Sequence, residues 1–166
     1  MDMTTRGDTS TPSPPGRECG TKRCACGATV WLTGPAPRTS VLARALAARL
    51  RAEGHRAEAL DGDEFGARYS RDRDCGTDHL GVTAEVMARN GVIAVVSPAA
   101  PDAAHRDEVR ARHERSGTIC LDVCVAEDGS AAQARAAADL TVDLTPHGVD
   151  GAAEQVHALL VARHLA

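Results

Sequence analysis

Apolar and polar positions repeat along the chain at two periods, and the changes between them mark out its elements. Ala28 to Thr33, ATVWLT, is a short apolar run of strand type. Gly34-Pro35-Ala36-Pro37 interrupts it. From Arg38 to about Glu53, leucines recur at Leu42, Leu46 and Leu50, one face of a helix, with Ala43 and Ala47 small enough for close approach to a sheet. Gly54 predicts the C-terminal stop. A second strand is expected from Arg56 to Leu60, running into Asp61-Gly62-Asp63. Leu80, Ala84 and Met87 predict a helix from Leu80 to Asn90, ended by Gly91, and the fully apolar Val92 to Val96 predicts a central strand. Pro101 opens a helix through Asp102, Arg106, Val109 and His113, and Thr118 to Val125 predicts the fourth strand. A short helix over Ser130 to Ala137, a fifth strand over Leu140 to Leu144 and a final helix over Val149 to His164 complete the pattern.

Strands alternating with helices across short turns predict parallel pairing, right-handed crossovers and helices on both faces. The expected fold is α/β, a three-layer sandwich around a mostly parallel five-stranded sheet. Ligands in such folds bind beyond the carboxyl ends of the strands. That rule gathers the Gly34 turn, the Asp61 to Asp63 turn, the Ser97 to Pro101 turn and the loop after Val125 around one crevice.

Composition narrows the function classes. The chain has 166 residues, enough for one domain with a sizeable core. Only 2% are aromatic, so that core is built from Ala, Val and Leu. A net charge of -4, without a basic stripe interleaved with aromatics, argues against nucleic-acid partners. No apolar run is long enough to span a bilayer, and no charged stretch leads into an apolar one at the start, so a cytoplasmic protein without a membrane partner is expected. Residues 1–26, rich in Thr, Ser, Pro and Gly, predict a disordered tail ahead of a domain over residues 27–166. Cys19, Cys24 and Cys26 form C-x4-C-x-C, a set of thiols open to a metal or redox role with Cys75 or a histidine as a fourth group, or to no role at all. Cys120 and Cys124 lie four apart on one strand, about 13 Å, too far for a disulfide. The seven histidines show no ligand spacing and are expected mostly at the surface, with His79 and His105 flanking the crevice.

The turn after the first strand carries the candidate chemistry. A phosphate-binding loop reads G-x-x-x-x-G-K-[ST], its backbone N–H groups and lysine cradling a phosphate at a helix N-terminus. Here the turn is Gly34-Pro35-Ala36-Pro37-Arg38-Thr39-Ser40, two residues shorter and without the second glycine or the lysine. Each proline removes an N–H donor, and Lys22 is the only lysine in the chain. The turn either holds phosphate with Arg38 in place of the ammonium, or is a structural turn with Arg38 at the surface.

ATVWLTG, ARALAARLRAEGH, LDGDEF, Ser70-Arg71-Asp72, ARNGVIAVVS and RDEVRARH together resemble the adenylylsulfate kinase family, P-loop enzymes that phosphorylate the 3′-hydroxyl of adenylyl sulfate with Mg-ATP. The resemblance covers roughly Gly27 to Ala166 and implies a P-loop kinase fold. It implies that Gly34, Arg38, Thr39 and Ser40 occupy the phosphate loop, that Asp63 stands near the acceptor hydroxyl and metal as the activating carboxylate, and that Asp61, Arg71 and Pro101 lie on the substrate side. Asp61 and Asp63 have a second reading, as caps of the following helix. The family's L-G-F-S-x-x-D-R-x-x-N-x-R-R segment is shortened here to Arg73-Asp74-Cys75-Gly76-Thr77-Asp78-His79. I-S-P-Y-R becomes Ala99-Ala100-Pro101-Asp102-Ala103, and the basic lid between the fourth and fifth strands is missing from Val125 to Asp139. Arg106 and Asp107 keep the family pattern on a helix expected to be scaffold. The expectation is a non-catalytic homologue that acts by binding, to sulfate-activating enzymes or to copies of itself. The alternative is an active transferase in which Arg38 and Thr39 hold phosphate and metal and Asp63 acts as base; Mg-ATP and adenylyl sulfate belong to that reading.

Overall fold

The computed structural model describes residues 27–69, 73–99, 103–127 and 138–166. Along that chain β1 (Ala28–Thr33) leads into α1 (Arg38–Ala52), β2 (Ala57–Asp61), α2 (Gly62–Tyr69), α3 (Arg73–Arg89), β3 (Ile93–Ser97), α4 (Ala103–Ser116), β4 (Ile119–Ala126), β5 (Leu140–Asp143) and α5 (Leu144–Ala162). The strands form one sheet of order β2-β3-β1-β4-β5, parallel at every pairing. β1 is central, paired with β3 on one side and β4 on the other, so the chain leaves its carboxyl end at the point where the strand order reverses.

Alternation along β1 divides the core between the two faces. Val30 and Leu32 join Leu42, Leu46 and Leu50 of α1 and Val156 and Leu160 of α5 in the larger cluster. Trp31 points the other way, onto Leu80 and Ala84 of α3 and Val109 of α4, with Ala94 and Val96 of β3. Each fully buried leucine contributes roughly 1.5–3 kcal/mol relative to exposure, so this aromatic-poor interior still holds a firm frame. The expected three-layer α/β sandwich, with a P-loop kinase-like order of elements, is the observed fold.

Element ends depart from the sequence reading where polar residues carry the structure. β2 runs on to Asp61 and β3 to Ser97. α2 and the first turns of α3 lack an apolar period in sequence, RDCGTDH in the latter case, which is why a helix was expected only from Leu80. β5 stops at Asp143, whose carboxylate accepts the Thr145 amide at 2.8 Å and starts a short helical segment at Leu144, ahead of the helix expected from Val149. Gly148, with φ 63°, interrupts α5 just before the expected start. The short helix expected over residues 130–137 and the tail over residues 1–26, with Cys19, Cys24 and Cys26, lie outside the described residues. Cys120 and Cys124 are free thiols, and burial pushes Cys120 up to about 12.

One histidine contradicts the expectation of a solvated surface group. His113 of α4 is fully buried against β1. Its Nδ1–H donates to the Val109 carbonyl at 2.9 Å, which leaves Nε2 to accept the Thr29 hydroxyl at 2.8 Å. A neutral ring therefore satisfies both nitrogens, and desolvation lowers its pKa. The signal was present in the spacing of Arg106, Val109 and His113, which share one helical face.

Because the folded ring resists protonation, the unfolded chain binds more protons below the ordinary histidine value of 6.5. Stability is then fully present above pH 6.5 and declines as the pH falls toward the lowered folded value. Urea midpoints measured from pH 7.5 downward are expected to show this decline, and the Thr29→Val/His113→Leu pair to lack the histidine share of it.

Candidate functional site

The crevice at the carboxyl edge is built by glycines that let separate loops touch. At Gly34 a Cβ would lie 2.5 Å from the Val125 carbonyl oxygen, so only glycine lets the turn after β1 rest on the end of β4. At Gly62 a Cβ would lie 2.4 Å from the Ala99 amide nitrogen, which brings the segment after β3 against the start of α2. The expected meeting of the four loop regions is seen for their described parts.

Within the turn after β1, the backbone donors face inward. The amides of Arg38 and Thr39 both point to the Pro35 carbonyl, at 3.1 and 3.3 Å, and the Val41 amide reaches Pro37 at 3.2 Å. Pro37 itself caps α1 with no side-chain hydrogen bond. A helix N-terminus ordinarily offers its first amides to an anion. Here two of them are held by the chain's own carbonyl.

The hydroxyls behind the turn are closed off as well. Ser97, the last residue of β3, donates to the Thr39 hydroxyl at 2.8 Å and lies 3.3 Å from that of Ser40. Thr39 is only 1% exposed. Arg38 is at the surface, as one of its two readings required, and forms an ion pair with Glu127 in the loop after β4. Neither the Ser97 contact nor the Glu127 contact was foreseen. Both join residues far apart in sequence, so no local pattern announces them.

Asp61 and Asp63 divide their roles. The Asp61 carboxylate accepts the Asp63 amide at 3.0 Å, which caps α2, and faces Arg44 of α1 at 3.3 Å. Arg44 also reaches Glu64 at 2.9 Å, tying α1 to α2. Asp63 sits in the first turn of α2, exposed at the mouth of the crevice. Gly34, Arg38, Thr39, Ser40, Asp61 and Asp63 therefore gather at one edge, while Arg71 and Pro101 lie outside the described residues. Among the described residues no group of three His, Cys, Asp or Glu side chains is placed to hold a metal ion. No helix among them is long and apolar enough to cross a membrane.

Beneath the crevice lies a buried ion pair. Arg106 Nε meets Asp122 at 3.2 Å, with both side chains below 10% exposed, and the Thr33 hydroxyl donates to Asp122 at 3.4 Å. Burial pushes the Asp122 carboxyl up, and the guanidinium of Arg106 opposes that shift. Asp139 accepts the Asp122 amide at 2.8 Å and Arg110 at 2.7 Å, which fixes the start of β5 beside β4. The family-pattern residue Arg106 is thus part of the scaffold under the site.

Residues 26–143 match the family described as adenylylsulphate kinase. A probable adenylyl-sulfate kinase from Synechocystis sp. is 41% identical over 93 residues, covering 51% of this chain and 52% of that protein. A probable bifunctional SAT/APS kinase from Sorangium cellulosum is 38% identical over 94 residues, covering 52% of this chain and 16% of that protein. The hexameric APS kinase from Thiobacillus denitrificans superposes with a TM-score of 0.72 at 30% identity, over 86% of this chain and 30% of that one. The chain spans about half the length of the adenylyl-sulfate kinases it matches first.

Arg106→Met strands the Asp122 carboxylate in the interior and is expected to cost about 3–5 kcal/mol in urea denaturation. The deficit should shrink as the pH is lowered through the raised carboxyl pKa of the variant, because a protonated Asp122 no longer needs a counter-charge.

Proposed function

The chain belongs to the adenylylsulphate kinase family, and from that premise we propose that it is a member that keeps the kinase frame without phosphoryl transfer and acts by binding within sulfate activation. The observation that carries this reading is the inward closure of the turn after β1, where the Pro35 carbonyl takes the Arg38 and Thr39 amides. A phosphate needs those donors pointing outward. The Arg38 guanidinium is engaged by Glu127, and the Thr39 hydroxyl by Ser97, so the two side chains that could replace lysine and hold metal are already committed.

The energetics point the same way. Phosphoryl transfer depends almost wholly on positioning and on charge stabilisation by such groups. Losing one strong donor typically costs about 2.7–4 kcal/mol of transition-state stabilisation, so losing several together leaves little rate. A frame of this kind retains surfaces for association. A relative that joins SAT and APS kinase in one chain, and a hexameric APS kinase among the structural neighbours, support a sulfate-activating enzyme or further copies of this chain as the partner. We place the protein in the cytoplasm, with residues 27–166 as the working domain.

A second reading is favoured by Asp63, which is exposed in the first turn of α2 and which the resemblance would make the activating carboxylate. In it, nucleotide binding opens the turn, Arg38 and Thr39 take phosphate and metal, and Asp63 accepts the 3′-hydroxyl proton.

Pure protein incubated with Mg-ATP and adenylyl sulfate separates the two. The expected result is no 3′-phosphorylated product above the blank, and no thermal shift with ATP, whereas a ligand at about a hundred times its Kd would add roughly 2.7 kcal/mol. Product that disappears in Asp63→Ala establishes the second reading instead.

A further inference from the structure

The opposite edge of the sheet carries a concentration of positive charge that the proposed function does not use. The last turns of α3 and α4 lie side by side there, and Arg89 from one and Arg112 and Arg115 from the other line a single cleft of about 550 Å³ together with Glu85. Glu85 is paired with Arg89 at 3.6 Å. Arg112 is half-buried and Arg115 exposed, and among the described residues neither forms an ion pair. Arginines in a last helical turn ordinarily complement the helix dipole. Here three full charges exceed one carboxylate plus the roughly half-charge at each of two helix C-termini, so the cleft is left with net positive charge.

The cleft does not end at the arginines. Arg89 and Ser116 also line an adjoining hollow of about 440 Å³, floored by Gly27, Ala88 and Gly117 and bounded by Ile119, which is 42% exposed. The Ser116 hydroxyl is occupied by the His113 carbonyl and Thr118, so the polar groups left for a ligand at this junction are the guanidiniums. A charged cleft continuous with a less polar hollow fits an anion that has a body.

We infer that this amino-edge cleft is a binding site for a multiply charged oxyanion of the phosphate or sulfate class, held by Arg89, Arg112 and Arg115, with the adjoining hollow receiving the rest of a nucleotide-sized ligand. Planar guanidinium forks match tetrahedral oxyanions through paired hydrogen bonds, and the combined volume is that of a small-ligand pocket rather than of a bare ion. The site is separate from the carboxyl-edge crevice, being formed at the opposite ends of the same strands. It stands whether or not that crevice binds nucleotide.

Calorimetric titration of the full chain with adenosine 3′,5′-bisphosphate and with sodium sulfate, at ionic strength held constant with chloride, tests it. Saturable binding is expected, weakened about tenfold or more in Arg112→Gln/Arg115→Gln and less in the exposed single variant Arg115→Gln. Arg38→Gln, at the other edge, should bind as the parent does. Binding of the bisphosphate alone assigns the hollow to a nucleoside, and equal binding of sulfate assigns the site to the oxyanion itself. No saturable heat from either probe at millimolar concentration overturns the proposal, as does undiminished binding in the double variant. Binding abolished by Arg38→Gln overturns it as well, by moving the ligand to the carboxyl edge, and counts against the closed turn at the same time.

Discussion

Parallel pairing of β1 on both of its edges is the constraint from which the rest follows. With β3 and β4 alongside and helices over both faces, the strand has no solvent side, and its residues must suit two interiors at once. A slip of one residue would exchange Val30 and Leu32 with Thr29, Trp31 and Thr33, placing hydroxyls among the leucines and the indole against α1. The register is therefore strongly specified. So are the polar partners on the α3/α4 face, because Thr29 meets His113 and Thr33 meets Asp122 only in this alignment.

That specification reaches the two edges differently. At the amino edge β1 and β4 begin beside the ends of α3 and α4, where Arg89 and Arg115 are exposed while His113 is buried against β1. At the carboxyl edge the turn after β1 is squeezed between the end of β4 and the hydroxyl of Ser97. Its proline-rich path has the Arg38 and Thr39 amides bonded to the Pro35 carbonyl.

The order of strands and helices was legible because it rests on periodicity: the leucines of α1, the unbroken apolar run of β3 and the glycines between elements each state one layer of the sandwich. α2 was missed because GDEFGARY has no apolar period and is held by the Asp61 cap and Arg44, and α3 was shortened because the sequence of its first turns, RDCGTDH, has no apolar period to read. The gathering of Gly34, Asp61 and Ser97 could be inferred from topology, since strand ends in a parallel sheet share an edge. What closes the turn could not. Arg38 with Glu127, and Thr39 with Ser97, are contacts between segments 58 or more residues apart, and nothing in either segment names the other. His113 lay within reach of the sequence, since it continues the face of Arg106 and Val109, but scattered histidines invite a surface reading.

The Asp61-Gly62-Asp63 turn illustrates how folding alone can hold much of a signature in place. Its first aspartate starts a helix and its glycine admits a neighbouring backbone, so two of the three letters are demanded by architecture alone. Selection for folding would preserve them in a chain with no turnover. Family membership recognised through such a turn testifies to shared ancestry of the framework, and the catalytic status of each descendant has to be read from the groups that face the ligand.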